Sequence, residues 1–254
     1  MLAYAEFGPA TGKPLLIAHG LFGSGRNWGV IAKRLSDSRR VIAVDMRNHG
    51  QSPWTDTHTY EDLASDLAEV INTLGAPMDI VGHSMGGKAA MAVALLNPEA
   101  VDRLLIGDIA PVSYGHDQSQ YIGAMRAVNL SAISRRSEAE AQLAAQGIEP
   151  ALCAFFTQSL DAAGQKWRFN LDTLEAEMSK ILSFPKLAGQ FEGPTLFLSG
   201  VDSDYVKREH RPIIGPLFPN ARFAKLKNAG HWLHADDPRG FESAVRIFMG
   251  APTS

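Results

Sequence analysis

Ser84 lies at the centre of the sequence GHSMG, where a short apolar run ends and a helix-forming stretch begins. A serine with glycines two positions before and two positions after it is typical of the sharp strand-to-helix turn that exposes a nucleophile. Side chains at Gly82 or Gly86 would crowd such a turn, and Gly87 would let the helix lie close to neighbouring strands. The backbone N–H of Met85, at the start of that helix, could then donate to a developing oxyanion.

A serine hydroxyl becomes an effective nucleophile when a base accepts its proton, so a histidine is expected within hydrogen-bond distance of Ser84. His231 follows the last predicted strand, residues 221 to 226, which brings it to the same edge of the sheet as the serine. His234 lies in the same turn and is the second candidate. Structural, loop or surface positions are expected for the other histidines: His19, His49, His58, His83, His116 and His210.

A carboxylate is needed to hold the histidine in the correct tautomer and to stabilise its charged form. Asp108 follows the apolar run at residues 101 to 106, and Asp202 or Asp204 follows the next predicted strand of the sheet. Both positions are at the carboxyl ends of parallel strands, where ligand sites of open α/β sheets lie. The spacing alone leaves both choices open.

The loop after an early strand should supply a second oxyanion donor. That loop, residues 19 to 23, follows a predicted strand at residues 14 to 18 and precedes the serine turn. We expect the backbone N–H of Leu21 to be this donor.

Strands and helices must alternate to hold these residues together. Short apolar runs predict strands at residues 14–18, 40–44, 78–81, 101–106, 194–198 and 221–226. Between them are helical patterns such as residues 60–74, whose apolar positions recur three or four residues apart. This alternation predicts an α/β fold with a mostly parallel sheet covered by helices on both faces.

Residues 111 to 185 interrupt the alternation, because they contain helical patterns and no convincing strand. Helices are predicted near residues 118–128, 137–145, 150–160 and 171–182. We therefore expect a helical cap over residues 111–185 and a core formed by residues 1–110 and 186–254. Aromatic residues of the insertion could roof a pocket, although most are expected to pack within it: Tyr114, Tyr121, Phe155, Phe156, Trp167 and Phe169.

Composition excludes several classes of protein. The 254 residues include 24 basic and 27 acidic side chains, so the net charge of −3 provides no field that would attract nucleic acid or an anionic membrane. The single cysteine, Cys153, rules out an intrachain disulfide, and its neighbours predict a buried apolar helix face. Without a signal-like N-terminus or a membrane-spanning apolar run, the protein is expected to be cytoplasmic.

Six motifs together resemble the α/β-hydrolase superfamily, and specifically the small bacterial YbfF-type esterases. They are residues 19–24, 45–53, 82–88, 108–112, 167–170 and 230–235. The resemblance implies an α/β-hydrolase core with a helical cap inserted after the sixth strand, and no metal or organic cofactor. It also favours Asp108 as the acid, because this branch is similar to hydrolases that place it after strand six. The commoner position after strand seven is Ser203 here.

The resemblance further implies a Ser-His-Asp triad of Ser84, His231 and Asp108 that hydrolyses carboxylic esters or acyl thioesters, acyl-CoA among them, through an acyl-enzyme. Phe22, Trp167 and Phe169 are the predicted substrate contacts. Arg168 could pair with an anionic group of the substrate or with a carboxylate of the cap, and the second is expected.

The expected partner is a small-molecule ester or thioester, with no nucleic acid and no membrane, and the protein is expected to be a monomer or weak dimer. The alternative functions are a receptor-like module with a silent triad, or an enzyme that uses the same triad for perhydrolysis, carbon–carbon cleavage or a lyase step.

Overall fold

The computed structural model describes residues 1–10, 12–75, 77–115 and 118–250. Seven of the strands in these ranges form one sheet, in the order β1-β3-β2-β4-β5-β8-β9, and the other two pair with each other. The strands are β1 Tyr4–Phe7, β2 Leu15–Ala18, β3 Val41–Val44, β4 Met78–His83, β5 Val101–Gly107, β6 Leu160–Asp161, β7 Lys166–Trp167, β8 Thr195–Gly200 and β9 Ala221–Leu226. Only β1 is antiparallel to its neighbour in the large sheet, so the predicted mostly parallel sheet is confirmed.

The α-helices begin and end as follows: α1 Gly29–Leu35, α2 Tyr60–Leu74, α3 Met85–Leu96, α4 Ser119–Arg126, α5 Arg136–Ala145, α6 Pro150–Thr157, α7 Leu171–Ala176, α8 Met178–Leu182, α9 Arg211–Leu217, α10 Leu233–Asp236 and α11 Pro238–Phe248. Helix α2 has the predicted bounds, and Thr59 and Asp62 form a capping box at its start. No helix within the described ranges has the length and apolarity that crossing a membrane requires.

Helices cover the sheet on both faces, as predicted. One hydrophobic cluster joins the sheet to α2 and α3 and continues into the insertion, and another joins the opposite face to α1 and α11. Strands β2 and β3 are entirely buried. Their continuous apolar sequences follow from this, since a strand covered on both faces has no solvent-facing side.

The segment between β5 and β8 contains helices α4 to α8, close to the predicted ones. The stretch predicted as one helix at residues 171–182 is two helices that meet at Glu177. The prediction that this segment contains no strand was wrong, because β6 and β7 pair as a short hairpin. Two residues per strand are too few for an alternating pattern. The predicted pairing of Arg168 with a carboxylate of the insertion is confirmed, at 3.4 Å from Asp161.

Two further details differ from the sequence prediction. Strand β1 was not predicted, because Tyr4–Phe7 forms a sheet edge and its side chains are partly or fully exposed. The helical insertion follows β5, the fifth strand along this chain, and not a sixth strand. The insertion begins after the strand predicted at residues 101–106, and the number differs because five strands, β1 to β5, precede it in the described part of the chain.

Candidate active site

Ser84 joins β4 to α3 in a strained conformation. Its φ of 52° and ψ of −121° are unusual for a residue with a side chain, and such strain is common where a fold presents a reactive group. The glycines have the predicted steric role. A Cβ at Gly82 would lie 2.3 Å from the Gly86 carbonyl oxygen, and one at Gly86 would lie 2.3 Å from the Ala18 carbonyl oxygen. A side chain at Gly87 would meet Ile109 at 2.6 Å.

A hydrogen-bonded chain connects three of the predicted site residues. The Ser84 Oγ lies 3.2 Å from the His231 Nε2, and the His231 Nδ1 lies 2.8 Å from an Asp108 carboxylate oxygen. With its Nδ1–H donating to the carboxylate, the imidazole presents the Nε2 lone pair to the serine hydroxyl. That tautomer is the one a proton acceptor needs.

The Asp108 carboxylate is fully buried, and both of its oxygens accept hydrogen bonds. One oxygen accepts from the Gly200 N–H at 3.2 Å, and the other accepts from both His231 and the Ser203 hydroxyl. Ser203 is at the position where such hydrolases more commonly have the acid, and here its hydroxyl donates a hydrogen bond to Asp108. The side chain of Asp204 is 86% exposed and lies 3.7 Å from Lys207, so it does not compete with Asp108.

The loop after β2 runs against the serine. A Cβ at Gly20 would lie 3.2 Å from the Ser84 Cβ. The Phe22 N–H donates to the His49 Nε2 at 3.2 Å, while in the described part of the chain the N–H groups of Leu21 and Met85 have no acceptor. Two unpaired donors beside a nucleophile are suited to holding an oxyanion.

A cavity of about 280 Å³ opens above Ser84. The sheet side contributes Leu21, Phe22 and Met85, and the insertion contributes Leu152, Phe155 and Ile181. Most of this lining is apolar. Such a cavity is suited to the hydrocarbon part of a small ligand whose reactive group meets the serine.

A family model for the alpha/beta hydrolase family matches residues 15–244. The chain belongs to this family. This α/β hydrolase is 41% identical over 253 residues to the mouse protein named sn-1-specific diacylglycerol lipase ABHD11, covering 95% of this chain and 82% of the mouse protein. It is 35% identical over 240 residues to Esterase YbfF of Escherichia coli strain K12, covering 93% and 92% of the two chains.

The solved structure titled Marine microorganism esterase superposes on this α/β hydrolase with a TM-score of 0.92. The two are 35% identical, and the match covers 97% of this chain and 98% of that one. The resemblance to YbfF-type esterases is therefore confirmed, and the hydrolase is an enzyme of the serine hydrolase class.

Neutral histidines brace the site of the hydrolase. His49 accepts the Phe22 N–H at its Nε2, so its Nδ1–H must donate to the Arg47 carbonyl at 2.9 Å. His19 has the same tautomer, accepting the Met46 N–H at Nε2. Burial lowers the pKa of His19 to about 4 and that of His49 to about 3. Both rings therefore remain neutral and act as hydrogen-bonding supports between two loops.

His58 lies in a loop, one of the two positions expected for it, but it is fully buried and not at the surface. Its Nε2 contacts the Met85 sulfur, and its backbone N–H donates to Glu177 of the insertion. The sequence carried no signal for this, since the residues that bury it come from distant segments. His116 lies outside the described residues.

Two aromatic rings pack against His231. The His83 Nε2–H donates to the His231 carbonyl at 2.7 Å, and the Tyr205 ring stacks on the imidazole at 3.9 Å between centroids. His234, the second candidate for the base, instead stacks on Trp28 at 3.9 Å. The structure therefore places His231 within hydrogen-bond distance of Ser84, whereas His234 packs against Trp28. Sequence reasoning missed Tyr205, although it lies two residues after Ser203.

Two of the three predicted substrate contacts do not line the cavity. Phe22 lines it, whereas Trp167 and Phe169 are buried behind Phe22. The Trp167 indole N–H donates to the Met125 carbonyl at 2.8 Å, and the Phe169 ring stacks against the Trp167 ring. Both aromatics therefore stabilise the insertion, and the prediction for them was wrong because a motif does not reveal which way its side chains face.

Lys88 is a further residue that the sequence reasoning missed. It lines the cavity yet is only 1% exposed, and its ammonium donates to the carbonyls of Leu182 and Ser183 at 2.9 and 2.6 Å. The rings of Tyr60 and Tyr114 lie 5.6 and 4.9 Å away. Burial lowers the pKa of Lys88 to about 7.

Proposed function

We propose that this α/β hydrolase cleaves carboxylic esters or acyl thioesters, acyl-CoA among them, through an acyl-enzyme on Ser84. The observation that carries the proposal is the continuous chain from the Ser84 hydroxyl through His231 to the Asp108 carboxylate. Each link has the chemical role that nucleophilic acyl transfer requires.

In the first half of the reaction, the Ser84 oxygen bonds to the acyl carbon while its proton passes to the His231 Nε2. The carbonyl electron pair moves onto oxygen, and the N–H groups of Leu21 and Met85 stabilise the resulting oxyanion. When the intermediate collapses, the bond to the leaving oxygen or sulfur breaks. His231 returns its proton to that alcohol or thiol, and the acyl group remains on Ser84.

In the second half, water replaces the alcohol or thiol. His231 accepts a proton from the water as its oxygen bonds to the acyl carbon, and a second oxyanion occupies the same two donors. Collapse releases the carboxylic acid and returns the proton to Ser84. Asp108 keeps its charge throughout, and this charge stabilises the imidazolium formed in both halves.

We further propose that residues 111–185 act as a cap that sets the acyl group. Helices α6 and α8 contribute Leu152, Phe155 and Ile181 to the cavity wall. The names of the relatives suggest two ester classes to test, simple carboxylic esters from Esterase YbfF and glycerolipid esters from the diacylglycerol lipase. The cap would exclude water from the apolar part of either substrate.

The test is hydrolysis of p-nitrophenyl esters of increasing chain length, diacylglycerols and acyl-CoA thioesters by the wild type and by Ser84→Ala. We expect Ser84→Ala to lower kcat on the order of 10⁶-fold, as for other triad nucleophiles. Ser38→Ala, which alters an exposed serine, is the matched control and should keep wild-type activity. Turnover by folded Ser84→Ala within tenfold of the wild type would refute the proposal.

Labelling with a fluorophosphonate separates the hydrolase from the alternative functions. A silent, receptor-like triad would not react, whereas the proposed enzyme should be labelled at Ser84 and lose activity in proportion. Product analysis then distinguishes hydrolysis from perhydrolysis, carbon–carbon cleavage or a lyase step.

A further inference from the structure

Lys88 puts a positive charge in the wall of the apolar cavity. It lies one helical turn after Ser84, and its backbone N–H donates to the Ser84 carbonyl at 3.0 Å. Residues four apart share a face of a helix. The lysine side chain is therefore on the side of α3 that faces the ligand space, as its position in the cavity lining confirms.

No carboxylate balances this charge within the described ranges. The cavity lining contains no Asp or Glu, and the ion pairs found there do not include Lys88. An ammonium has three N–H donors, and two of them are taken by the carbonyls of Leu182 and Ser183. The third donor has no acceptor in the described part of the chain.

We propose that Lys88 determines specificity by binding a carboxylate at the far end of the acyl group, so that the enzyme prefers half-esters or half-thioesters of short dicarboxylic acids. This proposal rests on the proposed function, because it assumes that the near end of the same acyl group is attacked by Ser84. A buried, unpaired ammonium favours an anionic partner far more than a neutral one, since the partner replaces the water that burial removed.

Ser84 and Lys88 also suggest the expected length of the acyl chain. They lie one turn apart, where Cβ atoms are about 5–6 Å from each other, and both side chains line the same cavity. We therefore expect short dicarboxylic acyl groups to be preferred over long ones.

The groups around Lys88 make the preference depend on pH. The facing titratable groups are Tyr60 from α2 and Tyr114 from the segment after β5, and burial raises the pKa of both, so they stay neutral. The other neighbours are backbone carbonyls at the end of α8. Since the pKa of Lys88 is about 7, the lysine is charged at pH 6 and mostly neutral at pH 8.5.

The experiment compares two ethyl esters of the same shape, monoethyl glutarate and ethyl 5-oxohexanoate, in which a methyl ketone replaces the carboxylate. Release of ethanol gives kcat/KM for each from pH 6 to pH 8.5. We expect at least a tenfold preference for the half-ester at pH 6. The preference should fall towards one by pH 8.5, where only about 3% of the free lysine keeps its proton. Any effect of pH on the acyl-transfer step itself is common to both esters and cancels in the ratio.

Lys88→Met keeps the length of the side chain and removes the charge. We expect the ratio at pH 6 to fall at least tenfold and to become independent of pH. The matched control is Lys180→Met, which removes a nearby charge that pairs with Glu177 and does not line the cavity, and it should keep the wild-type ratio.

A ratio near one in the wild type, or one that does not change with pH, would overturn the proposal even if Lys88→Met fails to fold. An equal loss on both esters in Lys88→Met would also overturn it, since this is the result expected if Lys88 only joins the insertion to α3. If neither ester nor any other is cleaved, the proposed function itself is wrong.

Discussion

Asp108→Asn tests the hydrogen-bonded chain from Ser84 through His231 to Asp108. The contacts of Asp108 determine how an asparagine side chain would be oriented there. The backbone should tolerate asparagine, because the φ of 48° at Asp108 is in the left-handed region that asparagine adopts more readily than most residues. The side chain keeps its size. The substitution therefore changes charge and hydrogen bonding at a fully buried position while leaving the packing intact.

The Gly200 N–H fixes the orientation of the new amide. It donates to one Asp108 oxygen at 3.2 Å, so the asparagine oxygen should take that place and its NH₂ should face His231. Ser203 can rotate and accept a hydrogen bond, but the His231 Nδ1 must then be an acceptor. Its Nε2 consequently carries the proton and cannot receive another from Ser84.

We expect kcat for a p-nitrophenyl ester to fall by about 10⁴-fold, or about 5 kcal/mol of transition-state stabilisation. Asp204→Asn, which changes an exposed carboxylate, should remain within twofold of the wild type. Circular dichroism and the urea midpoint establish that each variant is folded. Activity of folded Asp108→Asn within tenfold of the wild type, or a comparable loss in Asp204→Asn, would refute the assignment of the acid.

Two predictions concern stability. Gly86→Ala should lower the free energy of unfolding by about 1–3 kcal/mol or more, because its Cβ would lie 2.3 Å from the Ala18 carbonyl oxygen. The control is Gly123→Ala, which has open space at the Cβ and should be neutral or stabilising. Equal urea midpoints for the two variants would contradict this reasoning. Burial lowers the pKa of five histidines in the folded protein. The pKa is about 4 for His19 and His234 and about 3 for His49, and it is also lowered for His58 and His83. As the pH falls below about 6.5, these histidines take up protons in the unfolded chain but not in the folded protein. Each histidine should therefore lower the free energy of unfolding by up to about 1.4 kcal/mol per pH unit, down to about pH 4. A urea midpoint that is unchanged between pH 7.5 and pH 5.5 would contradict this.

Local patterns made much of the core predictable. Strands β2 and β3 are continuous apolar runs, and β4 and β5 are mostly apolar. Helix α2 has apolar residues three or four positions apart, so each pattern reflects which faces of the element are covered. Strand β1 escaped prediction because its side chains are partly or fully exposed and its partner β3 is distant in the chain. The hairpin of β6 and β7 escaped it because each strand has only two residues. Periodicity cannot reveal pairing of that kind.

Sequence by itself predicted Ser84 and His231 as the nucleophile and the base of the candidate site. The glycines around Ser84 are required by backbone crowding within a few residues, and the turn after the last strand brings His231 to the same sheet edge. Both arguments depend on local geometry and chain order, which the sequence carries directly.

Tertiary structure decided which carboxylate meets the imidazole, which aromatics reach the cavity, and where the unpaired charge lies. Asp108, Asp202 and Asp204 were all plausible until the contacts of each side chain were known, and Trp167 proved to face the interior. Lys88 looked like an ordinary helix residue. These outcomes depend on contacts between segments far apart in the chain, and the free energy of such contacts is set only when the segments fold together.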